Sequence, residues 1–120
     1  YNEINVNIND VIKNITSISN KSSVFFKDLV EFYSIFHKKI YKTSSSPLHD
    51  PCVIGYILDP SLFSGKYVNV TVEENSELTM GRTVVDWLAI TGRNKNCYVV
   101  NNVNVKGFFD LLKNKISLLP

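Results

Sequence analysis

From Val24 to about Tyr41, the apolar side chains Phe25, Phe26, Leu29, Phe32, Tyr33, Phe36 and Ile40 recur at spacings of three and four. Residues at those spacings share one face of an α-helix, so the stretch predicts a long amphipathic helix. Such a helix has to lay its apolar stripe on a core, which constrains the fold more than any other feature of the chain. Ser22 or Ser23 is placed to cap its start, and the loop "KTSSSP" to end it.

Weaker signals surround this helix. "INVNIND" alternates and reads as a short strand, with Asn9 or Asp10 placed to cap a following helix, "VIKNITSI". Asp50-Pro51 has the form of an N-cap followed by proline at the first helical position. "CVIGYIL" would be the helix it opens, stopped by Asp59-Pro60. After Gly65, "KYVNVTVE" alternates with the period of a strand. "RTVVDWLAI" and "NCYVVNNVN" look like two more strands, joined through "TGRNKN". "VKGFFDLLKNKIS" closes the chain as an amphipathic helix. Helices first, strands later and a helix last fit an α/β layer, or part of one.

At 120 residues the chain has the length of one domain. With 44% hydrophobic and 20% charged residues it reads as soluble and globular. A formal charge of +2, with scattered lysines, points to neither nucleic acid nor membrane as a partner. No apolar run approaches the ~20 residues of a membrane span, and no signal peptide is visible. Cys52 and Cys97 form no CxxC and read as buried thiols of a reducing, cytoplasmic compartment, with a disulfide left open. The chain opens on Tyr1 rather than methionine, which suggests a fragment, a processed product or a trimmed chain.

The candidates for chemistry are few. His49 and Asp50 stand side by side where a loop meets a helix. Asp50 is explained by capping alone, but a carboxylate so placed can also turn towards a hard cation. His49 can act as an acid near neutral pH. His37 and Tyr41, four apart, share a helix face with Tyr33 and can offer a ring and polar tips to a flat ligand. Arg82 and Asp86 are explained by the solvent face of a strand. The two histidines lack partners at zinc-ligand spacing, and no GxSxG, P-loop, GxGxxG or HExxH is present.

The run "SSPLHDPCVIGYILDPSLF", followed by "YVNVTVEENSELTMGRTVVD", resembles the carboxyl-terminal third of the inosine–uridine-preferring nucleoside hydrolases. Its signature is Pro47-Leu48-His49-Asp50-Pro51-Cys52, then Tyr56, Asp59-Pro60 and Phe63, then Gly81 to Asp86 and the closing "FFDLL". The helix "FFKDLVEFYSIF" is also similar to that family's. The resemblance implies an α/β fold, the carboxyl-terminal part of an open Rossmann-like sheet, with residues 1–120 forming that segment of a single domain.

By the same resemblance the parent enzyme cuts the N-glycosidic bond of purine or pyrimidine ribonucleosides with water, in nucleoside salvage, as a dimer or tetramer. Asp50 is then a Ca²⁺ ligand, and His49 is the catalytic acid at the leaving base or the group that orients it. His37 and Tyr41 fall where pyrimidine-preferring members contact the base. One departure matters. The family's amino-terminal DxDxxxDD cluster, the source of its general base and most Ca²⁺ ligands, is absent from this sequence. The chain alone is therefore expected to be inactive. A non-catalytic binding or assembly module derived from the same fold is the alternative.

Overall fold

A computed structural model describes the backbone of residues 5–42 and 45–120, and the side chains of residues 11–42 and 48–120. In chain order the elements are β1 (Asn5–Asn7), α1 (Ile8–Thr16), α2 (Lys21–Tyr41), β2 (Ser45–Pro47) and α3 (Asp50–Leu58). A 3₁₀ turn (Pro60–Leu62), β3 (Phe63–Val72), β4 (Thr83–Asp86), β5 (Cys97–Val103) and α4 (Val105–Ser117) follow. The order and type agree with the α/β reading. Contacts divide the chain into two units, Tyr1–Phe63 with Asn102–Pro120, and Ser64–Asn101.

In the first unit β1 pairs antiparallel with β2, Asn5 opposite Pro47 and Asn7 opposite Ser45. The serine loop thus contains a short strand, while its residues 43 and 44 lie outside those described. Helix α1 begins at Ile8, ahead of Asn9 and Asp10 rather than after them. Its Val11 and Ile15 meet Ile116 of α4 in a small core, against which Ile18, Phe26, Leu48, Phe109 and Leu112 pack. A second contact seats Gly55 of α3 beneath Phe108. A Cβ at Gly55 would lie 2.7 Å from Phe108 Cε2, so the close approach needs glycine.

Helix α2 is capped by Asn20, not by Ser22 or Ser23. Asn20 Oδ1 accepts the Ser23 amide at 2.7 Å, and the Ser23 hydroxyl faces the Asn20 amide in return. The same asparagine donates through Nδ2 to the carbonyls of Ile116 (2.9 Å) and Leu119 (2.8 Å). Ser22 adds bonds from its amide and hydroxyl to Pro120 O at 3.0 and 2.7 Å. One residue therefore caps α2 and also satisfies open carbonyls at the end of α4.

The α2 stripe is where expectation and structure part. The helix buries Ser23, Val30, Ser34 and His37. Phe25, Phe32 and Phe36, expected in the core, are 66%, 77% and 58% exposed, and Leu29, Tyr33 and Ile40 are exposed as well. The helix has two usable faces, and the elements of this chain pack on the one with small and polar residues.

In the second unit the strand order is β4-β3-β5, with β3 and β4 antiparallel and Asn69 opposite Asp86. Gly65 of β3 leaves room for the Val99 carbonyl, which any Cβ there would strike. Strand β4 is much shorter than "RTVVDWLAI" suggests. It stops at Asp86, whose carboxylate accepts the amides of Ile90 and Thr91, both at 2.9 Å, and pulls the chain into a turn. Both cysteines are free. Cys97, at the start of β5, is exposed rather than buried, and Cys52 is half-buried with its thiol donating to the Leu48 carbonyl. Among the described residues no helix is long and apolar enough to cross a membrane.

Asn20→Ala should lower stability by about 2 kcal/mol, the sum of a lost cap and lost amide bonds. Asn20→Asp, which keeps the capping oxygen but not the amide donor, should lose only part of that. Urea unfolding followed by circular dichroism measures both.

Candidate functional site

The loop before α3 is held from behind. Leu48 packs against the Val11–Ile15–Ile116 core, and its carbonyl accepts the Cys52 thiol at 3.0 Å. Burial pushes the Cys52 thiol above its ordinary value. The anchored Leu48 leaves the next two residues, His49 and Asp50, exposed to solvent.

The helix starts one residue earlier than its sequence suggests. His49 has right-handed helical torsions (φ −81°, ψ −51°) and occupies the cap position, with Asp50 the first helical residue. Pro51 has no amide to offer, and the Cys52 amide already bonds the His49 carbonyl at 3.0 Å. The Cys52 amide, one of the two that an Asp50 cap could serve, is therefore taken. Among the described residues neither the His49 ring nor the Asp50 carboxylate has a hydrogen-bond or ion-pair partner, and both are exposed.

His37 and Tyr41 sit on the last turns of α2 and stack, as their spacing suggests. Their ring centroids are 5.1 Å apart with planes at 30°. Tyr33 completes the set: its ring lies 4.7 Å from His37, and its hydroxyl is 2.9 Å from His37 Nε2. His37 is only 9% exposed, whereas Tyr41 is open to solvent. The i, i+4 spacing was the signal for Tyr33 too. Its hydrogen bond holds the imidazole in one orientation, so the stack presents a fixed aromatic surface through Tyr41.

The structure thus assembles two pairs within one unit, His37 with Tyr41 and His49 with Asp50. No hydrogen bond, ion pair or ring contact joins the pairs. Nor do they make a metal centre. A calcium ion takes six to eight oxygen ligands. Among the described residues no group of three or more His, Cys, Asp or Glu side chains is placed to hold a metal. Asp50 by itself supplies too few oxygens for such a site.

Elsewhere, in the second unit, a recess of about 230 Å³ is lined by Lys66, Trp87, Arg93 and Lys95 among others, and by none of the four candidate residues. Its floor is internally committed: the Lys66 ammonium lies 4.3 Å from the centroid of the Trp87 ring and donates to the Trp87 carbonyl. Asp86, also in its wall, accepts from the Thr91 hydroxyl at 2.6 Å. The Thr91 hydroxyl and amide hold the Asp86 carboxyl below its ordinary value. This carboxylate builds a turn.

Compared with known proteins, the chain matches the family model described as "Inosine-uridine preferring nucleoside hydrolase" over residues 2–110. It is 36% identical over 108 residues to the pyrimidine-specific ribonucleoside hydrolase RihA of Shewanella sp. strain ANA-3, covering 89% of this chain and 34% of that protein. A Dictyostelium discoideum protein named "Probable ribonucleoside hydrolase" is 34% identical over 117 residues, 95% of this chain and 34% of its own length. The fold matches the structure of a purine-preferring ribonucleoside hydrolase from Gardnerella vaginalis with a TM-score of 0.73 at 24% identity, over 94% of this chain and 35% of that one. A plant nucleoside hydrolase, PpNRh1, gives the same TM-score at 19% identity, over 91% and 36%. The chain spans about a third of the length of the curated relatives it matches.

A depressed carboxyl stabilises the folded state above its unfolded pKa of about 3.9, and that contribution disappears as pH falls through the folded value. Asp86→Asn should therefore lower the melting temperature at neutral pH and flatten its fall below about pH 4. Thermal unfolding of both proteins from neutral to acid pH tests this.

Proposed function

Because the chain belongs to the inosine-uridine preferring nucleoside hydrolase family, we propose that it is the part of a ribonucleoside N-ribohydrolase that handles the leaving base. The observation that carries the reading is the pair His49–Asp50. The residue before it is anchored in the core, yet both side chains are exposed and uncommitted. A purely structural cap would have used the carboxylate.

Cleavage of an N-glycosidic bond passes through an oxocarbenium-like state, and the departing base leaves as a poor anion unless it takes up a proton. His49 supplies that proton, since imidazole is a competent general acid and this ring is exposed to an approaching ligand. The Tyr41 face, backed by the buried His37 and its bond to Tyr33, receives the flat base by stacking and hydrogen bonding. Together these hold the base in line with the proton, the positioning that makes transfer efficient.

Asp50 contributes one oxygen to a calcium ion, which when bound would orient the sugar hydroxyls and water. The remaining ligands and the general base belong to carboxylates outside these residues. We place the parent enzyme in cytoplasmic nucleoside salvage, assembled as a dimer or tetramer.

Two outcomes are expected. The 120-residue chain alone should release no ribose from inosine or uridine with or without calcium. Calcium-dependent release from it would overturn the claim that the site is shared. In the complete enzyme, His49→Ala should lower kcat on natural nucleosides by about 10²–10⁴-fold, the usual worth of acid catalysis. It should barely affect an aryl riboside whose leaving group needs no proton. Equal losses on both substrates would replace the acid role with one of orientation.

A further inference from the structure

In the second unit the recess of about 230 Å³ takes no part in the chemistry proposed above. Small-molecule sites run from about 300 to 1,000 Å³, so the recess suits a ligand at or below the small end of that range. Its charge is one-sided. Lys66, Arg93 and Lys95 line it against a single carboxylate, Asp86. That carboxylate is already engaged: one oxygen accepts the Ile90 amide, and the other accepts the Thr91 amide and hydroxyl. Thr91 dominates the lowering of the Asp86 carboxyl, and Arg93 is the smallest contributor to it. Among the described residues the ion pairs join Lys27 to Glu31 and Lys106 to Asp110, and none involves the recess.

The loop that carries Arg93 and Lys95 is pinned before any ligand arrives. Asp86 holds Ile90 and Thr91, and the Thr91 hydroxyl accepts the Arg93 amide at 3.3 Å. The Asn94 carbonyl accepts Asn69 Nδ2 at 2.7 Å, which ties the residue between the two cations to β3. Asn96 closes the loop. Its amide donates to the Val68 carbonyl, and its side chain bonds the Val70 amide and carbonyl at 2.8 and 2.9 Å. Lys66, from β3, rests on the Trp87 ring and donates to the Trp87 carbonyl, which leaves its other N–H bonds open. Ala89, in the same wall, holds a left-handed backbone at φ 56°, which a residue with a Cβ adopts at a cost. The fold thus keeps like charges together on a pinned and strained loop, an arrangement that mutual repulsion disfavours until an anion enters.

We propose that this recess binds a phosphoryl dianion, with the Arg93 guanidinium gripping two of its oxygens and Lys66 and Lys95 supplying point charges. A phosphate monoester carries about −1.5 to −2 at neutral pH, which matches the local excess of positive charge. Arginine presents the planar fork that such oxygens fit. A monocarboxylate would leave part of that excess unmatched. The half-buried Trp87 offers an apolar wall to a ring-bearing ester. The site contains none of His37, Tyr41, His49 and Asp50, and it does not depend on the hydrolase reading.

Isothermal titration calorimetry of the 120-residue chain in low salt should give saturable one-to-one binding of inorganic phosphate. In ¹H–¹⁵N spectra the shifts should centre on the Trp87 indole and the amides of residues 93–95. Arg93→Ala/Lys95→Ala should weaken binding about tenfold or more with circular dichroism unchanged, since both side chains are exposed. Arg93→Lys, which keeps the charge and loses the fork, should still weaken it severalfold. Lys38→Ala/Lys39→Ala removes the same charge from α2 and should leave the affinity unchanged. Phenyl phosphate separates the two sources of a phosphoryl group. Tighter binding than inorganic phosphate, with larger Trp87 shifts, assigns an ester, and equal binding assigns the free ion. Non-saturating shifts spread over the lysines overturn the proposal, as does equal weakening by the two double variants. Binding that survives the loss of Arg93 and Lys95 overturns it as well.

Discussion

Asn20 joins the start of α2 to the end of α4. Its side-chain oxygen starts α2 and its side-chain amide closes α4, with Ile116 and Leu119 as acceptors nearly a hundred residues away in sequence. The small core lies beside this junction, since Ile116 also packs against Val11 and Ile15. Loop closure over that distance is entropically costly, and a core of this size offsets only part of it. The polar clamp therefore matters more here than a cap does in a larger domain. It also acts on the candidate site, because Leu48, which holds the loop before His49, packs on the same core.

With so little core, the distribution of apolar residues becomes the main physical fact about this chain. Phe25, Phe32 and Phe36 of α2 face water, while Ser23, Val30, Ser34 and His37 are buried and Phe26 packs on the core. That arrangement leaves one face of the helix packed and the other, apolar, in water. Such a helix also explains how His37 and Tyr41 come to be arranged as they are. His37 is held on the inner face by Tyr33, and Tyr41 remains open at the helix end.

Much of this was legible in the sequence, and the failures share a cause. The long helix, the helix after Asp50-Pro51, strands β3 and β5 and the last helix all lie where periodicity puts them. The candidates His37, Tyr41, His49 and Asp50 were found by spacing and by resemblance, and the stacking of the first two follows from helical geometry. The cap of α2 was misplaced because Ser22, Ser23 and Asn20 are all good capping residues. The choice was made by distant carbonyls of Ile116 and Leu119 that only Asn20 reaches. Strand β4 ended early because Asp86 bonds forward to Ile90 and Thr91, a local competitor that alternation of apolar residues does not reveal.

The sequence by itself determined the kind and order of the elements, because helix and strand periods are local properties of neighbouring side chains. It also determined which side chains could do chemistry, since that is a property of residue type. The tertiary structure decided which face of α2 is buried, because burial depends on what packs against a helix and not on the helix alone. It also decided that Asp50 keeps its carboxylate free. The Cys52 amide turned to the His49 carbonyl, the cap position passed to His49, and no side chain caps this helix.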